Sequence, residues 1–237
     1  MLEVKNVTVS YGEFTALGDI SLKLNRGEIC TLLGPSGCGK TTLLYTIAGL
    51  VKQKAGEIVK DDNALRMSLI PQHYGLLPWK RAVDNVALSL IIKGCDRRSS
   101  RLKARGLLAE MGLSGVEDRF PGQMSGGQKQ RVALARSLVF QPDLLLMDEP
   151  FSSLDQLTRE ELQEFLLMLH EKNEFTVLMV THSIEEAVYL GQRIIVMGGE
   201  PGRIRRALQN PLWGVKDKRT SAMYYEVCRQ VRGCLEV

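Results

Sequence analysis

The stretch that decides the fold reads Glu28-Ile29-Cys30-Thr31-Leu32-Leu33-Gly34-Pro35-Ser36-Gly37-Cys38-Gly39-Lys40-Thr41-Thr42. Its first six residues are mostly apolar, as in a buried strand, and its last residue opens a helical pattern that continues to residue 50. Between them, residues 34–41 match the pattern G-x-x-x-x-G-K-T completely. A strand, a glycine loop and a helix in this order are the context that a phosphate-binding loop requires.

Each part of this loop has an expected chemical role. The glycines let the backbone wrap a phosphate chain with its N–H groups pointing inward, and the start of the helix adds its dipole. Lys40 is then expected to bridge the β- and γ-phosphates of a nucleotide, and the Thr41 hydroxyl to bind Mg²⁺. The alternative is a glycine loop without a ligand, which the flanking strand and helix disfavour.

The bulk composition is that of an ordinary globular protein. The chain has 237 residues, of which 44% are hydrophobic and 24% charged, and a formal net charge of +4. This mild basic excess does not suggest nucleic-acid binding. Its apolar runs are shorter than the roughly 20 residues that cross a bilayer, and the N-terminus lacks the layout of a signal peptide. We therefore expect a cytoplasmic protein whose five cysteines are reduced and hold neither metal nor disulfide.

The pattern along the chain predicts an α/β protein. Residues 2–9 and 20–24 alternate like antiparallel strands, and residues 56–59 and 67–70 look like a short strand pair. Helical patterns at residues 83–92, 97–111 and 126–139 predict a helical lobe. Strands and helices then alternate again, with strands at 143–147, 176–180 and 193–197 and, in the tail, a strand followed by a helix at 221–231. We therefore divide the single domain into a nucleotide-binding core, residues 1–72 and 141–237, and a helical insertion, residues 73–140.

A second acidic element follows the apolar run at residues 144–147. Asp148 and Glu149 come where that strand ends, which is where parallel α/β sheets bind ligands. Because successive strand residues point in opposite directions, the two carboxylates are expected to have different roles. We assign Asp148 to the coordination sphere of the metal and Glu149 to the attacking water as general base. A solvated strand-end charge is the alternative for Glu149.

A third element is the start of the helix at residue 126. Ser125 is a suitable N-cap, and Gly126 and Gly127 leave the backbone N–H groups accessible, so this helix start is a possible second anion site. For Ser-Gly-Gly alone, an ordinary capped helix is the better interpretation. The two histidines His73 and His170 lack ligand-like spacing and are expected on the surface.

Taken in order, these motifs resemble the ABC transporter ATPase family over nearly the whole chain. Residues 34–41 are similar to its Walker A loop, residues 124–128 to its LSGGQ signature, with Met124 in place of leucine, and residues 144–149 to its Walker B strand. Gln72 matches the Q-loop, residues 152–155 the D-loop, His182 the switch histidine and Tyr11 the aromatic residue that stacks on adenine. Residues 71–80 are most similar to ATPases of nitrate, sulfonate and taurine importers.

The resemblance implies a P-loop NTPase (RecA-like) core with an antiparallel β subdomain and an inserted helical subdomain. It also implies a homodimer that binds ATP and Mg²⁺ head to tail, with the signature of one chain against the nucleotide of the other. It assigns the following site residues: Tyr11, Gly34, Pro35, Ser36, Gly37, Cys38, Gly39, Lys40, Thr41 and Thr42 to ATP; Ser125, Gly126, Gly127 and Gln128 to the partner's ATP; Asp155 to the D-loop; Thr41, Gln72 and Asp148 to the metal; and Glu149, His182 and Gln72 to catalysis.

The implied activity is ATP hydrolysis that drives solute import. The implied partners are transmembrane permease subunits and an extracytoplasmic solute-binding protein, with no nucleic acid, and the implied location is the inner face of the cell membrane. Three alternatives stay open: the ATPase of an exporter or lipid-extraction system, a non-transport ABC ATPase acting on DNA or ribosomes, and a P-loop small-molecule kinase. Trp79, just beyond Gln72, is either a core anchor or part of a docking surface for a membrane subunit.

Overall fold

The chain forms an α/β structure of two sheets and seven α-helices over the residues described, 1–62 and 64–235, in a computed structural model. The elements follow in the order β1 (Leu2–Tyr11), β2 (Phe14–Leu24), β3 (Ile29–Leu33), α1 (Lys40–Ile47), β4 (Ala55–Lys60), β5 (Met67–Ile70), α2 (Ala82–Ile92), α3 (Arg97–Glu110), α4 (Gly126–Leu138), β6 (Leu144–Asp148), α5 (Gln156–Asn173), β7 (Thr176–Thr181), α6 (Ile184–Leu190), β8 (Arg193–Gly198), β9 (Arg203–Gln209) and α7 (Ala222–Gly233).

The larger sheet has six strands in the order β5-β6-β7-β3-β8-β9. The first five are parallel, and β9 runs antiparallel to β8. Every residue of β3, β6 and β7 is buried, as the continuous apolar runs of these segments predict for strands covered on both faces. The strands predicted near residues 28, 144, 176 and 193 are confirmed, as is the helix predicted in the tail.

The two faces of this sheet bury two separate hydrophobic clusters. Along β3, Ile29 and Leu33 point into one cluster, and Cys30 and Leu32 point into the other. The first cluster contains residues of α2 to α7, and the second contains α1 together with β1 and β2. Helix α1 is anchored by three nearly or fully buried side chains, Leu43, Leu44 and Ile47. Each of these contributes about 1.5–3 kcal/mol of burial free energy.

The smaller sheet is antiparallel, in the order β2-β1-β4, as the alternation of the first strands predicts. The predicted pairing of residues 56–59 with residues 67–70 is wrong, because β4 pairs with β1 and β5 pairs with β6. Gly56 explains part of this difference. Its φ is +81°, and a Cβ atom there would lie 2.4 Å from the carbonyl oxygens of Lys5 and Asn6. Only glycine lets β4 approach β1 so closely.

Helices α2, α3 and α4 lie between β5 and β6 in the chain and begin and end within about one residue of their predicted bounds. Their apolar faces share one cluster with β6 and β7, through side chains such as Val86, Leu108 and Val132. The helical segment therefore packs directly on the parallel sheet. Its separation as a subdomain at residues 73–140 stays a prediction.

His170 was expected on the surface and is instead 7% exposed, so that prediction is wrong. Its Nε2 atom lies 3.1 Å from the carbonyl oxygen of Gly27, and its ring meets Phe175 edge-on at 5.6 Å. Burial lowers the pKa of this imidazole, which favours the neutral form. His170 is a core residue that connects α5 to the turn before β3.

A buried ion pair lies where the turn between β2 and β3 meets the start of β8. The side chains of Glu28 and Arg193 are 7% and 15% exposed and form a salt bridge. Glu28 also accepts hydrogen bonds from Asn25, at 2.7 Å from the backbone N and 3.1 Å from Nδ2. Arg193 donates in addition to the carbonyl oxygen of Lys23. The turn between β2 and β3 is thereby held to β8.

We expect Glu28→Ala to lower the free energy of unfolding by about 3–5 kcal/mol, because Arg193 would keep a buried charge without its partner. Urea unfolding measures the change. The control is Glu3→Ala, at an exposed carboxylate 3.7 Å from Lys5 Nζ, which should change stability by about 0.5 kcal/mol or less. Equal effects of the two substitutions would contradict the role given to this ion pair.

Candidate functional site

The glycine loop connects the carboxyl end of β3 to the start of α1. Its tight course depends on Gly39, where φ is +90° and a Cβ atom would lie 2.5 Å from Leu17 Cδ2. Leu17 belongs to β2 and is fully buried, so the small sheet packs directly on the loop. The loop thus has little room to change its backbone course, as a preformed anion cradle requires.

Lys40 is the first residue of α1 and is only 5% exposed. Its Nζ atom donates hydrogen bonds to the carbonyl oxygens of Gly34 and Pro35, at 2.7 and 2.8 Å. The ammonium group therefore lies inside the arch of its own loop. Cys38 in the same loop is buried, and burial raises the pKa of its thiol, so this side chain fills space and stays protonated.

Asp148 ends β6 and is 2% exposed. Its Oδ1 atom accepts a hydrogen bond from the Thr41 hydroxyl at 3.0 Å. Burial raises the pKa of the Asp148 carboxyl, an effect that the Thr41 hydrogen bond opposes. The two residues that the sequence assigns to a metal are thus in direct contact, although 107 positions separate them in the chain.

Glu149 lies just beyond β6 and adopts φ +46°, a left-handed conformation that is uncommon for a residue with a side chain. The strand alternation used to separate the two carboxylates therefore does not extend to Glu149, since the backbone turns at this residue. Its Oε2 atom lies 3.1 Å from His182 Nδ1 and accepts from Gln72 Nε2 at 3.4 Å. The three residues assigned to catalysis meet at one carboxylate, and local backbone strain of this kind often occurs at functional sites.

A depression of about 270 Å³ opens above the loop. Seven of the ten residues predicted to bind ATP line it together with Glu149, namely Tyr11, Ser36, Gly37, Gly39, Lys40, Thr41 and Thr42. Phe14 also lines it and was missed from the sequence. Phe14 is paired with Tyr11 across the β1–β2 hairpin, and both rings are about half exposed, so the hairpin register could have revealed it.

The signature residues Ser125, Gly126, Gly127 and Gln128 lie elsewhere, at the start of α4. Ser125 Oγ accepts from Gln128 N at 3.3 Å, and Gln128 Oε1 accepts from Ser125 N at 3.1 Å, which is a capping box. Cβ atoms at the two glycines would lie 3.0 Å from Leu154 Cδ2 and 2.7 Å from Thr158 Cγ2. Within the described part of the chain, none of the four signature residues lines the depression.

Asp155 in the predicted D-loop is the N-cap of α5 and accepts from Thr158 N at 3.0 Å. This hydrogen bond lowers the pKa of the Asp155 carboxyl. The neighbouring Ser153 contacts the segment after Gln72, because its hydroxyl lies 2.6 Å from the hydroxyl of Tyr74. The D-loop and the Gln72 segment are therefore in direct contact.

Arg136 was not singled out in the sequence, yet it connects α4 to the Gln72 segment. Its guanidinium donates to the carbonyl oxygens of Tyr74, at 2.7 Å, and Gly75. Burial lowers the pKa of this group. The carbonyls become available because Tyr74 and Gly75 both adopt φ +60°, a turn that residue types alone do not reveal. Arg136 thus holds the segment after Gln72 to the helix that begins at the signature.

Comparison with known proteins identifies the family. Residues 17–152 match the family model described as ABC transporter. The chain is 43% identical over 214 residues to the taurine import ATP-binding protein TauB of Escherichia coli (strain K12), covering 88% of this chain and 84% of the relative. It is 40% identical over 245 residues to an uncharacterized ABC transporter ATP-binding protein of Methanocaldococcus jannaschii, covering 99% and 91%. The similarity to taurine-type importer ATPases that the sequence predicts is confirmed.

Solved structures agree with this assignment and with the predicted fold class. The ATP-binding cassette MJ0796, solved as a dimer in a post-hydrolysis state bound to ADP and Pi, superimposes with a TM-score of 0.77 at 34% identity, covering 88% of this chain and 98% of that one. A second dimeric structure of the same cassette has a TM-score of 0.78. From the family model, the relatives and these structures together, we conclude that the chain belongs to the ABC transporter family, as an ATP-binding and ATP-hydrolysing cassette.

Proposed function

We propose that this cassette drives the import of a small sulfonate-like solute, at the cytoplasmic face of the cell membrane. Its relatives are named taurine import ATP-binding proteins, which supports import and a solute of that class. In the residues described, no helix is both long and apolar enough to span a bilayer. We assign the translocation path to transmembrane permease subunits that are served by an extracytoplasmic solute-binding protein, in keeping with the import role named for the relatives. The exporter, the non-transport ATPase and the kinase have no comparable support.

The contacts of Glu149 carry the proposal of hydrolysis. A carboxylate at the rim of the phosphate loop, 3.1 Å from His182 Nδ1, is suited to take a proton from the attacking water. His182 would orient that carboxylate and contact the γ-phosphate, and Gln72 Nε2 donates to the same carboxylate oxygen at 3.4 Å. Lys40 supplies a positive charge within the loop, where charge on the transferred phosphoryl group develops. Tyr11 and Phe14 provide two rings at the side of the depression for the adenine base.

A magnesium site fits the same edge of the sheet. The Thr41 hydroxyl, the Asp148 carboxylate and the Gln72 amide offer oxygen atoms, which Mg²⁺ prefers, and they leave room for water and phosphate oxygens as further ligands. The Thr41–Asp148 contact of 3.0 Å already brings two of these groups together. When bound, Mg²⁺ would neutralise charge on the β- and γ-phosphates. The buried position of Asp148 keeps that carboxylate directed at the loop.

The position of the signature supports a head-to-tail dimer. Ser125 to Gln128 pack against the start of α5 and do not line the depression in the part of the chain described, so they need a nucleotide from elsewhere. A second copy that faces the first would bring its phosphate loop against the exposed start of α4. Each nucleotide would then lie between Lys40 of one copy and Ser125 of the other. Closure on ATP and release after hydrolysis would follow from these contacts.

A permease-docking surface is supported by Trp79, which is 70% exposed. This exposure removes the alternative that Trp79 is a core anchor. The loop that carries it is held by the fully buried Asn85, whose Nδ2 donates to the carbonyl oxygens of Leu77, Lys80 and Arg81 and whose Oδ1 accepts from Leu77 N. An exposed indole on a well-anchored loop is a suitable interface residue. The segment between Gln72 and Trp79 would connect docking to the nucleotide site.

We expect Glu149→Gln to bind ATP, to hydrolyse it about 10²–10⁴-fold more slowly and to accumulate as a dimer, because the amide cannot accept the proton of the attacking water. Phosphate release and size-exclusion chromatography in Mg-ATP measure the two effects. Adding Lys40→Ala to the same variant is the control and should abolish the dimer by weakening nucleotide binding. A monomeric Glu149→Gln protein that hydrolyses at the parental rate would show that Glu149 is not the general base.

Mixing two inactive variants tests the shared site. Ser125→Asp keeps an N-cap but places a negative charge against the partner's γ-phosphate, and Lys40→Ala damages only the loop. Each alone should be nearly inactive. A 1:1 mixture should regain up to about a quarter of the parental activity, because half of randomly formed dimers are mixed and each has one intact site. Ser221→Asp, at the N-cap of α7, is the matched control and should stay active. No recovery on mixing would argue against the head-to-tail arrangement.

Trp79→Ala should leave the ATPase activity of the isolated chain within about twofold of the parent, because this side chain lies on the surface. Its affinity for the membrane subunits should fall by about 10-fold or more, the cost of losing an aromatic anchor. Co-purification with the transmembrane subunits from detergent measures this loss. Leu102→Ala, at an equally exposed apolar residue of α3, is the control. An equal loss of affinity for the membrane subunits in both variants would contradict the assignment of Trp79 as the docking residue.

A further inference from the structure

Beneath His182 lies a buried polar group that the proposed mechanism does not use. Glu186, on the first turn of α6, has a side chain that is 7% exposed. Its Oε2 atom accepts a hydrogen bond of 2.6 Å from the hydroxyl of Thr181, the last residue of β7 and the neighbour of His182. Burial raises the pKa of the Glu186 carboxyl. A carboxylate in such a place is costly unless its partners keep it where it is.

Thr181 transmits the position of Glu186 to the backbone that carries His182. It is 1% exposed, and its hydroxyl oxygen also accepts from Ser183 N at 3.0 Å. The residues on either side of His182, Thr181 and Ser183, are therefore connected through the Thr181 hydroxyl, which is hydrogen-bonded to Glu186. The His182 side chain itself is 57% exposed and contacts Glu149. Packing alone therefore does little to orient the ring, and its backbone must do so.

Arg159 connects this group to the D-loop. It lies on the first turn of α5, and its Nε atom is 3.7 Å from Glu186 Oε1. Its Nη2 atom donates to the carbonyl oxygen of Leu154 at 2.8 Å. The Nε atom is buried and has no hydrogen-bond partner within the residues described, so its charge is matched only by the ion pair with Glu186. One guanidinium thus joins the D-loop to the carboxylate beneath the histidine.

Leu154 extends the same contacts to the signature. Its carbonyl accepts from Arg159, and its side chain packs against the first residue of α4, where a Cβ atom at Gly126 would lie 3.0 Å from Leu154 Cδ2. A continuous series of contacts therefore runs from Gly126 through Leu154, Arg159, Glu186 and Thr181 to His182. In a dimer, its first member would touch the partner's nucleotide and its last would touch the chain's own nucleotide.

We propose that Arg159 and Glu186 are positioning residues that hold His182 against Glu149 and connect that contact to the D-loop and the signature. This inference rests on the proposed function, because it assigns His182 a place in hydrolysis. Neither residue lines the depression above the phosphate loop in the part of the chain described. Their effect is on the orientation of His182, and misplacement of a catalytic contact by about 1 Å reduces turnover by up to roughly 10²-fold.

The test measures kcat and KM for ATP in Arg159→Ala and in Glu186→Gln. We expect kcat of Arg159→Ala to fall about 10- to 100-fold with little change in KM, because the nucleotide contacts stay intact. Glu186→Gln keeps the volume and an acceptor for Thr181 but removes the charge that Arg159 needs, so its kcat should fall as well. It also serves as the second variant should Arg159→Ala fail to fold. Arg159→Lys keeps the ion pair and should recover part of the loss.

The matched control is Arg219→Ala. Arg219 also joins α5 to α6, through Glu160 and Glu164 at 3.8 and 3.7 Å and the ring of Tyr189 at 3.6 Å, but it reaches neither Leu154 nor Thr181 in the contacts described. A merely structural role for Arg159 predicts equal losses of melting temperature and kcat in both variants. Positioning predicts a loss of kcat in Arg159→Ala alone.

The NMR signals of the histidine rings test the orientation of His182 independently of ATPase activity. The chain has three histidines, so the His182 ring signals can be assigned with His182→Ala. In Arg159→Ala these signals should shift while those of His73 stay in place, and in Arg219→Ala they should not. Unchanged His182 signals, or kcat equal to the parent, would overturn the inference. Absence of ATP hydrolysis by the parent would instead overturn the proposed function, and the ring signals would still test the positioning.

Discussion

The parallel pairing of β6, β7 and β3 is the constraint on which the site depends. Because these three strands run in the same direction and lie side by side, their carboxyl ends meet at one edge of the sheet. The glycine loop follows β3, Asp148 ends β6, and His182 follows β7. All three strands are buried on both faces, so a shift of any one of them would disturb two hydrophobic clusters at once. The chemistry of the site is therefore set by strand order.

Much of this edge could be predicted from the sequence, because its signals are local. The glycine loop between a strand and a helix, and the acidic pair after an apolar run, are continuous stretches whose residue types have a direct chemical meaning. Strand partners are different. Residues 56–59 and 67–70 look like a hairpin because they are short and close in the chain, but they belong to different sheets. Strand pairing depends on which apolar faces must be buried against one another, and those faces are formed by residues elsewhere in the chain.

The residues missed in the sequence share a physical reason. Arg136 and Asn85 act on backbone carbonyls, so their partners are turns and not residue types. His170 looked like a surface histidine because the sequence does not show that the carbonyl of Gly27 lies beside it. Glu149 lines the depression above the phosphate loop, but its direction comes from a left-handed backbone turn and not from the strand alternation used in the sequence analysis. Side-chain contacts with a distant backbone are the class of interaction that sequence patterns reveal least.

The same class of contact explains how the separate motifs can act together. Ser153 is hydrogen-bonded to Tyr74, and Arg136 joins Tyr74 to α4, so the D-loop, the Gln72 segment and the signature helix contact one another without any of them covering the loop. A cassette built in this way exposes its phosphate loop and its signature at different places on one chain. In the proposed dimer, one nucleotide would contact the phosphate loop of one copy and the signature of the other. The loss of these contacts after hydrolysis would release the two copies from each other. The proposed cycle depends on two properties: rigid contacts between the motifs of one chain, and a nucleotide site that the second copy completes.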